Sequence, residues 1–152
     1  MINNIKRSSY VDGTIEDVPV SILLDTGAEV SVISPEVFNT IQRKSEKSLK
    51  PTKWRLKAAS GDDLQVKGQL DVNLKITAMK TVEHEWPLTV IVANIQDECI
   101  LGMNFMNEAV INFKKHSLMI DDKCIPLVEK RRPHGQETTC YRIYMDETVE
   151  LP

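Results

Sequence analysis

The chain has 152 residues, 41% of them hydrophobic and 27% charged, with a formal charge of -3. That is enough for one domain with a proper core and too little for two large ones, and the slight acidity gives no general pull toward nucleic acid or an anionic membrane. No apolar run approaches the length of a membrane span, and the N-terminus has no signal-peptide h-region.

In chain order, Met1 to Ser9 is a polar arm or edge segment. Tyr10 to Ile15 and Val18 to Leu24 read as two strands of a hairpin turning at Glu16-Asp17. In the second strand Val18, Val20, Ile22 and Leu24 share one face. The run ends abruptly in Asp25-Thr26-Gly27, a strand delivering a carboxylate to a tight turn. Asp tolerates turn geometry, Thr can bond back to the backbone, and Gly27 is expected to supply a positive φ.

Val30, Val32 and Ile33 make another short strand. Ser34-Pro35 has the form of an N-cap followed by proline at the first helical position, opening a short helix to about Ile41. Gln42 to Pro51 reads as a charged connector. Trp54 to Ala59 and Leu64 to Val66 flank Ser60-Gly61-Asp62-Asp63, a second hairpin. Leu70, Val72, Leu74 and Ile76 alternate along a longer strand, and Leu88, Val90 and Val92 repeat the pattern. Ile100-Leu101-Gly102 ends another apolar strand, and Met103 to Glu108 has room for a single short helix. Val110 to Phe113, Ser117 to Ile120 and Cys124 to Val128 are short strands. From Glu129 the composition turns polar, marking a boundary, and Tyr141, Ile143 and Met145 alternate weakly in a terminal strand over 140–145. Many short strands with two short helices indicate a mostly-β domain, closed or sandwich-like. The expected division is an arm over 1–9, a domain over 10–128 and a tail over 129–152.

Cys99, Cys124 and Cys140 are odd in number and lack metal or redox spacing. They read as reduced thiols of an intracellular protein, with a cytoplasmic location expected. His84, His116 and His134 are scattered and form no zinc motif, so no metal and no cofactor is expected. Asp25 is the one carboxylate at the end of an apolar strand before a glycine. Asp12-Gly13 and Asp62-Asp63 fall in expected hairpin turns, where Asp is favoured for backbone reasons. Carboxylate hydrolysis at moderate pH generally needs two such groups with separated proton affinities. A chain offering one can supply the pair by two-fold symmetry, as an isologous homodimer holding one shared proton.

Ile22-Leu23-Leu24-Asp25-Thr26-Gly27-Ala28, the hairpin tip Ala58-Ala59-Ser60-Gly61, and Cys99-Ile100-Leu101-Gly102 stand in an order and spacing that resembles the retropepsins, the aspartic proteases of retroviruses and long-terminal-repeat retrotransposons. The string Ile100-Leu101-Gly102-Met103-Asn104-Phe105-Met106 looks more like the Ty3/gypsy-type elements. The resemblance covers Tyr10 to Val128. It implies the acid protease fold, with one catalytic loop per subunit and a short C-terminal helix. It implies Asp25 as the catalytic aspartate, and Thr26 bonding across the dimer axis. Gly27 and Ala28 would line the cleft, and Glu29 would stand near the substrate backbone. Ala58 to Leu64 would form a flap over the substrate, with Ala59, Ser60, Gly61 and Asp62 at its tip. Ile100, Leu101 and Gly102 would support the catalytic turn. The implied partners are a second copy and an extended peptide or polyprotein, with no nucleic acid and no membrane; the implied place is the cytoplasm, within retroelement particles.

Two positions depart from the retroviral pattern. Glu29-Val30 stands where two aspartates are usual, and Met103 where a basic residue is usual. Two other readings fit the residues: a host-captured protease of this type acting on cellular proteins, and a catalytically silent dimerisation or peptide-binding module of the same fold.

Overall fold

The computed structural model describes residues 7–58, 60–77, 85–131 and 142–145. Strands β1 (Arg7–Ile15) and β2 (Val18–Leu24) form the first hairpin, Ile15 paired with Val18. Glu16 and Asp17 both have positive φ, 48° and 65°, which matches a two-residue hairpin turn to the twist of the strands. The short β3 (Ser31–Ile33) is buried throughout and leads into α1 (Pro35–Ser45). The Ser34 hydroxyl accepts the Val37 N–H at 3.3 Å. The helix runs a turn beyond the expected end at Ile41. It stops where Glu46, at φ 55°, turns left-handed and donates back to the Gln42 carbonyl; the first part of the expected connector is therefore helical.

The remaining strands are β4 (Trp54–Lys57), β5 (Asp63–Leu64), β6 (Val66–Ile76), β7 (Glu85–Ala93) and β8 (Cys99–Leu101). After the single-turn α2 (Met103–Met106) come β9 (Val110–Asn112), β10 (Ser117–Ile120), β11 (Lys123–Pro126), β12 (Val128–Arg131) and β13 (Arg142–Met145).

The main sheet has the order β12-β1-β2-β8-β3-β7-β6, and β6 pairs back onto β1 through Gly13–Ile76 and Ile15–Leu74. Six strands, β1-β2-β8-β3-β7-β6, thus close into a barrel, as the pattern of short strands leads one to expect. Closure removes the free edges that an open sheet exposes. Pairs β2–β8 and β3–β7 are parallel, and their strands carry continuous apolar runs because both faces are covered. The core gathers Ile15, Ile22, Ile33, Leu74, Val90 and Leu101 under Val37, Phe38 and Ile41 of α1.

Strand pairing also continues into Arg7–Ser9 and Glu129–Arg131. Arg7–Ser9 belong to β1 and Glu129–Arg131 to β12, paired antiparallel with each other. Composition does not show these stretches because they sit at a sheet edge, where polar residues are tolerated. The first six residues of the expected arm, the polar stretch 132–141 with Cys140 and Tyr141, and Ala59 lie outside the described residues.

Candidate active site

The barrel delivers Asp25 to the end of β2. Leu24 is in register with Leu101 of β8, and the Asp25 N–H donates to the Leu101 carbonyl at 3.0 Å. Ile100 and Leu101, 1% and 0% exposed, give the turn a rigid footing. The turn closes on itself: Ala28 N–H donates to the Asp25 carbonyl at 3.2 Å, and Gly27 N–H donates to Asp25 Oδ1 at 2.9 Å. Asp25 is half-buried, while Thr26 and Gly27 are exposed.

Gly27 does not take the positive φ expected of it; Gly61 and Gly68 are the described glycines in that region. Its requirement is room, since a Cβ there would stand 3.2 Å from Asp25 Oδ1. A glycine keeps the carboxylate accessible and leaves its amide free to bind it.

The second half of the loop hangs on α2. Met103 N–H donates to the Ala28 carbonyl at 2.7 Å and Asn104 N–H to the Glu29 carbonyl at 3.1 Å. Amides of a first helical turn have no partners within the helix, and here the candidate catalytic loop accepts two of them. A Cβ on Gly102 would lie 2.6 Å from the Val30 carbonyl oxygen and 2.7 Å from that of Ala28. Only glycine lets the two loops approach this closely.

Two residues not anticipated from sequence complete the support. The Ser31 hydroxyl accepts the Gly102 N–H at 3.0 Å and donates to Asn104 Oδ1 at 2.8 Å. Asn104 Nδ2 donates in turn to the Thr89 carbonyl of β7 at 2.8 Å. Ser31 is wholly buried. A serine inside the apolar run Val30-Ser31-Val32-Ile33 was the available signal, since a buried hydroxyl requires a partner.

Leu23, Ala28, Val30, Val32 and Ile100 form a second apolar cluster with Leu56 of β4, and Trp54, Leu64 and Val66 pack at its margin. This brings the β4–β5 hairpin beside the Asp25 turn. Its tip is a tight turn, with Gly61 N–H donating to the Ala58 carbonyl at 2.9 Å, Gly61 at φ 90°, and Ser60 Oγ donating to Asp62 Oδ2 at 3.1 Å. Ser60, Gly61 and Asp62 face solvent, and no hydrogen bond among the described residues ties them to Asp25. Of the pair that departs from the retroviral pattern, Val30 is buried and Glu29 is exposed.

On the other side of the turn, Ser8, Ser9, Leu24, Thr26, Ile111 and Phe113 line a cleft of about 170 Å³. Burial pushes the Cys99 thiol well up, with Glu98 and Asp97 adding to the effect, so this thiol stays protonated and is no nucleophile. Among the described residues no three His, Cys, Asp or Glu side chains come together as a metal set.

The arrangement presents one carboxylate on a braced turn, beside an apolar wall and a hairpin with a glycine tip. Residues 11–108 match the model of the family described as "gag-polyprotein putative aspartyl protease". The fold is similar to the retroviral protease-like domain of Ddi1 from Leishmania major, at 18% identity over 80% of this chain and 94% of that one, with a TM-score of 0.59. It is also similar to the EIAV protease in complex with the inhibitor HBY-793, at 22% identity over 70% of this chain and 92% of that one, with a TM-score of 0.51. Both likenesses concern the fold, and the family match spans most of the chain. The braced turn bearing Asp25 thus lies in a chain that belongs to the gag-polyprotein aspartyl protease family and has the retropepsin-like fold.

Proposed function

We propose that the protein is an aspartic endopeptidase that works as a homodimer and cuts an extended peptide through an activated water. The observation that carries this is the Asp25 turn: one carboxylate, held by the Gly27 amide and braced from β8 and α2, in a chain that belongs to an aspartyl protease family. Water activation needs one ionised and one protonated carboxyl close together. A second copy related by a two-fold axis near Thr26 brings its own Asp25, and two like charges at that range share one proton. The ionised partner takes a proton from water, and the protonated one polarises the scissile carbonyl. The peptide lies between the turn and the β4–β5 hairpin, pairing its backbone as an added strand. Closure of the hairpin removes bulk water and strengthens the electrostatics of the pair.

The dimer surface we assign runs from Thr26 across β9. Val110 and Phe113 are 65% and 66% exposed, large for apolar side chains, and Phe113 lines the cleft that Thr26 shares. Met119, 47% exposed, is in register with Val110, and the two make an exposed apolar pair. The substrate we favour is the polyprotein of a retroelement, in keeping with the family matched, and the site of action the cytoplasm.

The test is peptide-library cleavage read by mass spectrometry, with the wild type and Asp25→Asn. The wild type is expected to cut. Asp25→Asn is expected to lose roughly 10²–10⁴-fold or more in rate with its circular dichroism and association state unchanged. Equal cleavage by the variant would refute the assignment, and peptide affinity without turnover in the wild type would favour a binding module instead.

A further inference from the structure

Strand β4 of the hairpin is paired on both of its edges. Leu56 and Lys57 pair with Leu64 and Asp63 of β5 on one edge of β4. On the other edge lies the chain's own C-terminal segment, antiparallel, with Arg142 opposite Lys57, Ile143 opposite Leu56, Tyr144 opposite Arg55 and Met145 opposite Trp54. The three strands make a separate sheet in the order β13-β4-β5. Its middle strand is the one whose Leu56, 1% exposed, packs with Ala28 of the candidate catalytic loop.

A strand has two hydrogen-bonding edges. Since β5 fills one edge of β4 and β13 the other, a peptide that adds to β4 as a strand, on the side away from β5, meets β13 there. We propose that the segment Arg142–Met145 is a built-in competitor for the peptide-binding edge of the hairpin, so that the chain restrains its own activity until this strand is released. The inference rests on the endopeptidase reading for its consequence, though not for the pairing itself.

The tether makes such competition effective. Ten positions, 132–141, separate β12 from β13, and a short tether holds a segment at an effective concentration on the order of millimolar. A free peptide must overcome that. Four residues are also few enough for the strand to leave without unfolding the barrel, because β13 pairs with β4 at the outside of a three-stranded sheet. If the edge is free a tenth of the time, apparent substrate affinity is reduced by about tenfold, and loss of the strand restores it.

Ile143→Pro and Tyr144→Pro, each in the full chain, test this. Proline removes an amide donor and disfavours the ladder, and two consecutive positions between them include whichever amide faces β4. At least one variant is expected to show a KM for a peptide substrate about tenfold lower, with kcat little changed. A synthetic peptide of residues 140–147 is expected to inhibit that variant competitively and the wild type weakly. Amide hydrogen exchange at 54–57, read on the unreacted protein, is expected to quicken in the same variant. Unchanged exchange at 54–57 in both variants would overturn the proposal. So would faster exchange with KM unaltered and no competition by the peptide. The exchange measurement stands apart from catalysis: a protein that cleaves nothing while β4 loses protection would leave the strand contact in place and strike the endopeptidase reading.

Discussion

At the scale of single residues, Gly102 and Gly27 do different work from that usually asked of glycine. Gly102 is required because carbonyls of Ala28 and Val30 stand where its Cβ would be. Backbone oxygens cannot swing away as a side chain can, so Gly102→Ala must part the candidate catalytic loop from α2. We expect a loss of about 3 kcal/mol in stability by urea denaturation, with cleavage reduced beyond what the unfolded fraction explains. Cys99 gives a pH-dependent prediction. Its thiol ionises at higher pH in the folded chain than in the unfolded one, because burial penalises the thiolate. Below the ordinary thiol range both states hold the proton and stability does not change with pH on this account. As pH climbs past about 9 the unfolded chain releases a proton that the folded chain keeps, so stability falls, by up to about 1.4 kcal/mol per pH unit. Urea titrations at pH 8 and pH 10 on wild type and Cys99→Ala check it, the variant lacking this part of the slope. Thiol labelling should meanwhile reach Cys124, which is exposed, and spare Cys99.

Elements show where local signals sufficed. Ser34-Pro35 opens α1 as its sequence indicates, and Ser34→Ala is expected to cost about 1 kcal/mol through the lost cap. For a chain of this size that lowers Tm by roughly 2–4 °C, measured by calorimetry; an unchanged Tm would mean the 3.3 Å contact with the Val37 amide contributes nothing. The helix end was less legible. Gln42 to Ser45 carry no apolar stripe of their own, and the stop comes from a left-handed Glu46, a conformation its residue type does not announce. The start of β1 and the edge strand β12 were hidden for a related reason. Arg7–Ser9 and Glu129–Arg131 are polar, and what makes them strands is each other's backbone, a pairing across more than a hundred positions that no local period reveals.

For the whole molecule, the proposal requires two copies, so association and activity must move together. Specific activity is expected to fall on dilution through the dimer dissociation constant. Phe113→Asp, which replaces an exposed apolar side chain of the assigned dimer surface by a charge, should shift that fall to concentrations at least about tenfold higher, since burying an unpaired charge costs more than 1.4 kcal/mol. Analytical ultracentrifugation over the same range checks both, and turnover by a monomer would contradict them. The alternating strands, the turn at Asp25-Thr26-Gly27 and the apolar run ending in Gly102 were readable from the chain by itself, because strand period and turn chemistry are local properties. The brace through Ser31 and Asn104, the closure of β6 onto β1, and the placing of Arg142–Met145 on the β4 edge belonged to the tertiary structure alone. Each joins residues far apart in the chain, and only the closed barrel decides which buried polar groups and which free strand edges meet.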